Sequence, residues 1–213
     1  MKFDQGIDRQ YRQSVEKAFE AIVAAGNDEH LRVANHILDS KMLVRVLPVS
    51  KVKASGVTGL ISARNTNGRI DDRLSVAEAF DEIFITIALE TIDTGGQRGC
   101  EGTFVHEGRH AFDFAQTIAS FSDADVNPLS VFDPSLYELE WEAHRTSGEY
   151  MLRVGRDEYI EEGIQLLILG KNSDGGCFLN DEGIRCRLRD NYGLNLDTNP
   201  GPLASELLGL KQP

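Results

Sequence analysis

Cysteine is scarce. The 213-residue chain has three, Cys100, Cys177 and Cys186, and no CxxC pair. An odd, low count is not a disulfide framework, and without CxxC a cysteine zinc site is not expected. Cys177 and Cys186 could still pair in an oxidising compartment. Long apolar runs are missing too. The longest, Ile83–Leu89, contains Thr86, far short of the ~18–20 residues that cross a bilayer. No apolar segment follows Met1-Lys2-Phe3-Asp4, so the N-terminus does not read as a secretory signal. The expectation is a protein with no membrane span, cytoplasmic or exported without a cleavable signal peptide. Basic side chains are outnumbered, 22 to 34, giving a net charge of −12. A phosphate-backbone binder needs a basic face, so no nucleic-acid partner is expected. No internal repeat, low-complexity segment or linker interrupts the chain.

What is present is ordinary globular material: 41% apolar, 26% charged and 8% aromatic residues. Such a chain buries enough surface to hold a core unaided, and a single domain over residues 1–213 is expected. The acid is uneven. Residues 121–163 carry 11 acidic and 3 basic side chains, whereas residues 1–56 carry 7 and 9. An acidic run is usually a solvated face, but part of this one could be aimed at a cation.

Helical spacing of Tyr11, Val15, Phe19 and Ile22 predicts a helix over 8–25, and Asp28 can cap a second to about 39. Met42–Val49 reads as a strand. Val57–Arg64 and Arg69–Arg73 flank Asn65-Thr66-Asn67-Gly68 as a hairpin. Ile83–Thr91 reads as a further strand, with a competing helix through Ala77–Leu89. Asp93-Thr94-Gly95-Gly96 breaks the chain before a helix over about Cys100–Phe121. Asp133 and Pro134 open another to about Arg153. A short helix near Glu158–Leu169, a loop at Gly170–Gly176, a helix at Asn180–Tyr192 and a surface arm from Asn199 complete the reading. The fold class is α+β: N-terminal helices, a small mostly antiparallel sheet, then helices.

One motif carries chemistry. Residues 106–110 read His106-Glu107-Gly108-Arg109-His110, an HExxH on a helix with Phe104, Val105, Ala111, Phe112, Ala115 and Ile118 as apolar backing. Imidazoles four residues apart share one helix face and can hold one Zn²⁺ at about 2.0–2.1 Å. Glu107 points to the same side and can take a proton from a metal-activated water without being a ligand. Gly108 permits close packing, and Arg109 is expected to pair with a nearby acid. Zinc needs a third protein ligand and an open fourth position. The candidates are Asp113, Asp123, Asp125 and the stretch Tyr137–Arg145.

HExxH followed about thirty residues later by E-x-x-A resembles the gluzincin type of zinc metallopeptidase. The matching residues are His106, Glu107, His110, Glu140 and Ala143. The resemblance covers roughly residues 100–150, and it implies a zincin-like fold with Glu140 as third ligand and Ala143 letting two helices approach. Glu140-Trp141-Glu142-Ala143-His144 is similar to the E-x-E-A-D run of some of these peptidases, but His144 stands where that run has an acid. On a helix from Ser135, residues Glu140, Ala143, His144 and Ser147 share a face, which favours Glu140 over Glu138 and Glu142. His144 could bond an oxyanion or hold a ligand. Tyr137 and Tyr150 are candidate oxyanion donors or packing residues. His30, His36 and Trp141 read as structural. Ile83–Thr91 could be an edge strand that pairs with an extended peptide.

The expected activity is zinc-dependent hydrolysis of peptide bonds in a protein or peptide substrate, with Glu107 as general base. The rival readings are a zinc-dependent amidase or cell-wall-directed bacterial effector with the same core, and a non-catalytic metal-stabilised binding module.

Overall fold

A computed structural model describes residues 1–61, 73–122, 127, 130–155 and 168–210. The chain is α+β, with a four-stranded sheet flanked by helices and a separate two-stranded hairpin. The expected hairpin arm across Asn65–Gly68, Asp123, Asp125 and most of the short helix near Glu158 lie outside the described residues.

Helix α1 (Arg9–Ala25) buries Val15, Ala18, Phe19 and Ile22, the stripe that its spacing predicts. Helix α2 (Asp28–Asp39) is capped by Asn27 rather than Asp28. The Asn27 side chain accepts from the backbone N–H of Glu29 and His30, and the Asn27 N–H donates back to His30 Nδ1 at 3.0 Å. A histidine thus completes a capping box usually closed by Glu or Gln. His30 Nε2 donates to the Thr146 carbonyl at 2.9 Å, and His36 stacks on Phe80. Both are structural, as the sequence suggests.

The sheet is mixed, which corrects the mostly antiparallel expectation. Strands β1 (Lys2–Phe3), β2 (Leu43–Leu47), β3 (Gly56–Leu60) and β4 (Ile83–Ala88) lie in the order β1-β2-β4-β3. The β1–β2 and β2–β4 pairs are parallel, and only β3–β4 is antiparallel. The reason is legible in β4, where Ile83, Ile85, Thr86, Ile87 and Ala88 are all buried. A strand covered on both faces belongs in the sheet interior. The expectation that Ile83–Thr91 forms an edge is therefore wrong. Among the described residues, β3 is the outer strand on that side.

Two single-turn helices, α3 (Val49–Val52) and α4 (Val76–Ala79), lie between the strands, and Leu89 starts α5 (Leu89–Ser122), so β4 stops before Thr91. The expected break narrows to Gly96 alone, at φ 58° and ψ −154°, a region open essentially to glycine. Helix α6 (Leu136–Val154) packs along α5. Its cap is Ser135, not Asp133. Ser135 and Glu138 form a capping box, while the Asp133 carboxylate accepts from the Ser205 N–H and hydroxyl at 2.8 and 2.7 Å. That contact also overturns the surface-arm reading of the tail. Leu136 and Tyr137 N–H groups bond the Pro202 and Pro200 carbonyls, and Ala204 and Ser205 are buried. The expected Gly170–Gly176 loop is mostly borne out, as residues 172–176 are the turn of a hairpin that pairs β5 (Leu169–Lys171) with β6 (Cys177–Leu179). Gly148 of α6 lets it seat, since a Cβ there would lie 2.4 Å from Leu179 Cδ1. Helix α7 (Asp181–Tyr192) follows, capped by Asn180. All three cysteines are free thiols, and burial pushes the Cys100 thiol up to about 12. No helix among the described residues is long and apolar enough to cross a membrane.

Candidate metal centre

Helices α5 and α6 bring three side chains together from the sequence-level set. His106 Nε2 and His110 Nε2 lie 3.1 Å apart. Glu140 spans them, with Oε2 at 3.4 Å from His106 Nε2 and Oε1 at 3.4 Å from His110 Nε2. Among the described residues this is the one group of His, Cys, Asp and Glu whose donor atoms converge for a metal ion. Four ligands about 2.0–2.1 Å from a tetrahedral zinc stand about 3.3 Å from one another. The imidazole pair, at 3.1 Å, stands close to that spacing, and each imidazole faces one of the two Glu140 oxygens at 3.4 Å. The donor set also fits: two imidazoles and a carboxylate suit Zn²⁺.

The electrostatics agree with a cation site. Burial alone would push the Glu140 carboxyl up, but the His106 and His110 imidazoles outweigh it and hold the group far below the usual carboxylate range. Burial alone would lower His110; the Glu140 carboxylate reverses this and raises it. A carboxylate anion is thus held ready against two imidazoles.

The competing ligands are placed elsewhere. Asp113 is buried against Arg109, whose Nε donates to Asp113 Oδ2 at 2.9 Å and whose Nη1 pairs with Glu29. Glu138 is exposed and spent on the Ser135 cap. Glu142 is half-buried and outside the convergent group. Ala143 is fully buried in α6.

Glu107 is buried but is not in the convergent group. The Thr58 hydroxyl on β3 sits 2.7 Å from Glu107 Oε2 and donates to it. Gly56, two residues earlier, admits this approach: a Cβ there would lie 2.9 Å from Glu107 Oε1. His144 lies one turn past Glu140, with Nε2 3.9 Å from Glu140 Oε2. Burial, then the His106 charge, lowers it to about 3, so it is a neutral imidazole. Its Nε2 is buried without a hydrogen-bond partner.

Neither tyrosine proposed from sequence serves as an oxyanion donor here. Tyr150 is fully buried and donates to Glu101 at 2.9 Å, and Tyr137 stacks on Trp141. The tyrosine at the site is Tyr192, at the last turn of α7. Its ring meets His144 edge-on at 6.0 Å, and burial, then the Glu140 charge, pushes its hydroxyl up to about 12. Arg187, from the same helix, is also at the site. The sequence reading missed Thr58, Gly56, Arg187 and Tyr192. An aromatic residue just before Gly193 is a weak signal for a helix end and none for a site.

Two cavities flank the group. One of about 460 Å³ is lined by Glu90, Arg98, Thr103, His144, Ser147 and Arg187 among others. The other, about 580 Å³, is lined by Val57, Leu60, Phe114, Leu136, Leu139 and Leu208 among others. His106, Glu107, Gly56 and Tyr192 border both. The chain was compared with protein-family models, curated proteins and solved structures, and nothing matches.

Proposed function

We propose that the chain is a zincin-like, zinc-dependent hydrolase of gluzincin type that cleaves peptide bonds. One observation carries this: the donor atoms of two imidazoles and a carboxylate converge within 4.8 Å of one another, while a second carboxylate, Glu107, stands beside them outside that group. His106, His110 and Glu140 would hold Zn²⁺. When bound, Zn²⁺ supplies Lewis-acid chemistry, polarising a carbonyl and lowering a water's pKa from 15.7 toward about 7.

The rest is the work of the chain. Glu107 takes the proton from the attacking water and returns it to the leaving amine. Thr58 fixes the Glu107 carboxylate through one oxygen, leaving Oε1 to face the cleft side of Gly56. The Tyr192 hydroxyl stays protonated at neutral pH and is available to donate to an oxyanion. His144, neutral and unpaired at Nε2, is available for the same task. Among the described residues β3 has no neighbour on its outer edge, where an extended peptide can add through main-chain pairing.

Glu107→Gln tests the reading. The variant should bind as much Zn²⁺ as the parent and cut peptides about 10²–10⁴-fold more slowly, the usual share of a general base. Unchanged turnover, or loss of the metal, would refute the assignment.

A second reading has the His144 imidazole behind it. A fourth protein ligand would close the site as in structural zinc centres, and His144 Nε2 is unpartnered near Glu140. A metal-stabilised binding module of that kind loses zinc affinity in His144→Ala. The hydrolase keeps it.

A further inference from the structure

We propose that Arg187 makes the polar cavity a carboxylate subsite, so that the substrate carries an ionised carboxyl group on one side of the scissile bond. The proposal rests on the hydrolase reading and deepens it.

Three arginines stand at alternate positions on α7. Arg185 pairs with Glu182 at 3.2 Å and Arg189 with Asp190 at 2.8 Å. Arg187, between them, lines the cavity beside His106, Glu107, His144 and Tyr192. It forms no ion pair among the described residues, and its Nε is buried without a hydrogen-bond partner. The side chain is half-buried and its guanidinium neighbours the Tyr192 hydroxyl; a buried N–H without a partner, as at its Nε, is costly unless a ligand completes it. The planar guanidinium fork suits a carboxylate, which it can hold through two parallel bonds.

The other charges in the cavity do not answer it. Glu90 Oε2 accepts from the Val49 N–H at 2.7 Å, at the start of its own helix. Glu107 is held by Thr58. The second cation, Arg98, is tied to the buried Glu101. The opposite cavity is walled by leucines, Val57 and Phe114, and among the described residues no arginine or lysine lines it. The cleft is therefore chemically asymmetric about Glu107: a cation on one side, apolar walls on the other. A peptide lying through it fits best with an apolar side chain on the second side and a carboxylate on the first. That carboxylate can be an Asp or Glu side chain or the peptide's own C-terminus.

The test is calorimetric binding to Zn²⁺-loaded Glu107→Gln protein, which reads affinity without turnover. The probes are leucine-containing hexapeptides that differ only by Glu or Gln at each flanking position, each with a free or an amidated C-terminus. We expect one acidic peptide to bind about tenfold or more tighter than its neutral twin, the usual scale for a charge-assisted pair. A gain confined to Glu identifies a side-chain carboxylate, and a gain confined to the free acid identifies a terminus. Adding Arg187→Gln should shrink the discrimination to within about twofold, while Arg187→Lys should retain part of it. Equal binding of all twins, or discrimination that survives Arg187→Gln, overturns the subsite. If the wild type still cleaves those peptides, the hydrolase reading stands. If no peptide binds the zinc-loaded protein, both fall.

Discussion

Replacing Glu140 with Ala tests the third ligand directly. A metal that binds only the folded chain stabilises it by about 4.1 kcal/mol at a thousandfold excess over Kd. For a chain of 213 residues, each kcal/mol moves Tm by about 2–4 °C, so saturating zinc should raise Tm by about 8–16 °C. Loss of a group that merely orients a ligand costs about 10–100-fold in metal affinity, so loss of a ligand should exceed 100-fold. A 100-fold loss is about 2.7 kcal/mol. At the same zinc concentration about 1.4 kcal/mol remains, or roughly 3–6 °C. The assay is a thermal melt of each variant with and without zinc, checked by competition with a chromophoric chelator. Reading the zinc increment removes any change in the metal-free fold. The controls are Glu138→Ala and Glu142→Ala, whose increments should match the parent. Glu138→Ala is not silent in the metal-free melt, because it opens the Ser135 capping box and should cost about 0.5–2 kcal/mol. A full zinc increment in Glu140→Ala would remove Glu140 from the ligand set, and a loss in Glu142→Ala instead would mean that the α6 face is wrongly assigned.

Three further outcomes follow from the packing. Gly108→Ala should stabilise the fold by about 0.5–1 kcal/mol, because a Cβ there meets Val33 and Ile37 at ordinary contact distances of 3.4 and 3.5 Å; a lower melting temperature would show that the α2–α5 contact has no room. Gly56→Ala should keep zinc and lose most activity, since its Cβ falls 2.8 Å from Glu107 Cγ and 2.7 Å from Thr103 Cγ2; equal rates in a peptide assay would contradict the role given to β3. Burial lowers the His30 pKa, so below the unfolded value of about 6.5 the unfolded chain takes up a proton that the folded chain refuses. Stability of the metal-free protein should therefore fall as pH drops below that value, by up to about 1.4 kcal/mol per unit, until His30 itself is protonated in the fold. Denaturant melts of the parent and His30→Gln from neutral to acidic pH should differ by that slope, and parallel curves would rule it out.

The floor of the site was legible in sequence because helical periodicity is local. His106, Glu107 and His110 occupy fixed places on α5, while Glu140 was singled out by the gluzincin resemblance, with the helix face it shares with Ala143 and His144 favouring it over Glu138 and Glu142. The expectation that Arg109 pairs with an acid follows from the same periodicity, since Asp113 is one turn on. The mouth was not legible. Thr58 and Gly56 matter because β3 pairs antiparallel with β4 and so passes over α5. Nothing in residues 56–60 records that pairing. The sheet was misread for a related reason: short apolar runs reveal strands but not their direction, and two of three neighbours here turned out parallel. The tail was misread because its anchors, the Pro200 and Pro202 carbonyls and the Asp133–Ser205 contact, join segments far apart in the chain. Asp133 looked like a helix cap, yet Ser135 with Glu138 three residues on made the stronger one.

The imidazole at 144 and the guanidinium at 187, which has no carboxylate partner among the described residues, belong together. In the peptidases that residues 140–144 resemble, an acid stands at the position of His144. An acid there would share the polar cavity with Arg187, whose charge already acts on this position. It would neutralise the guanidinium within the protein. The neutral His144 avoids this. The Arg187 charge is left to the cavity and to whatever enters it. On this account His144→Asp should restore the pairing and abolish the preference for acidic peptides while zinc stays bound. Calorimetry with the Glu and Gln twins reads this, and discrimination that persists in His144→Asp would break the link between the two residues.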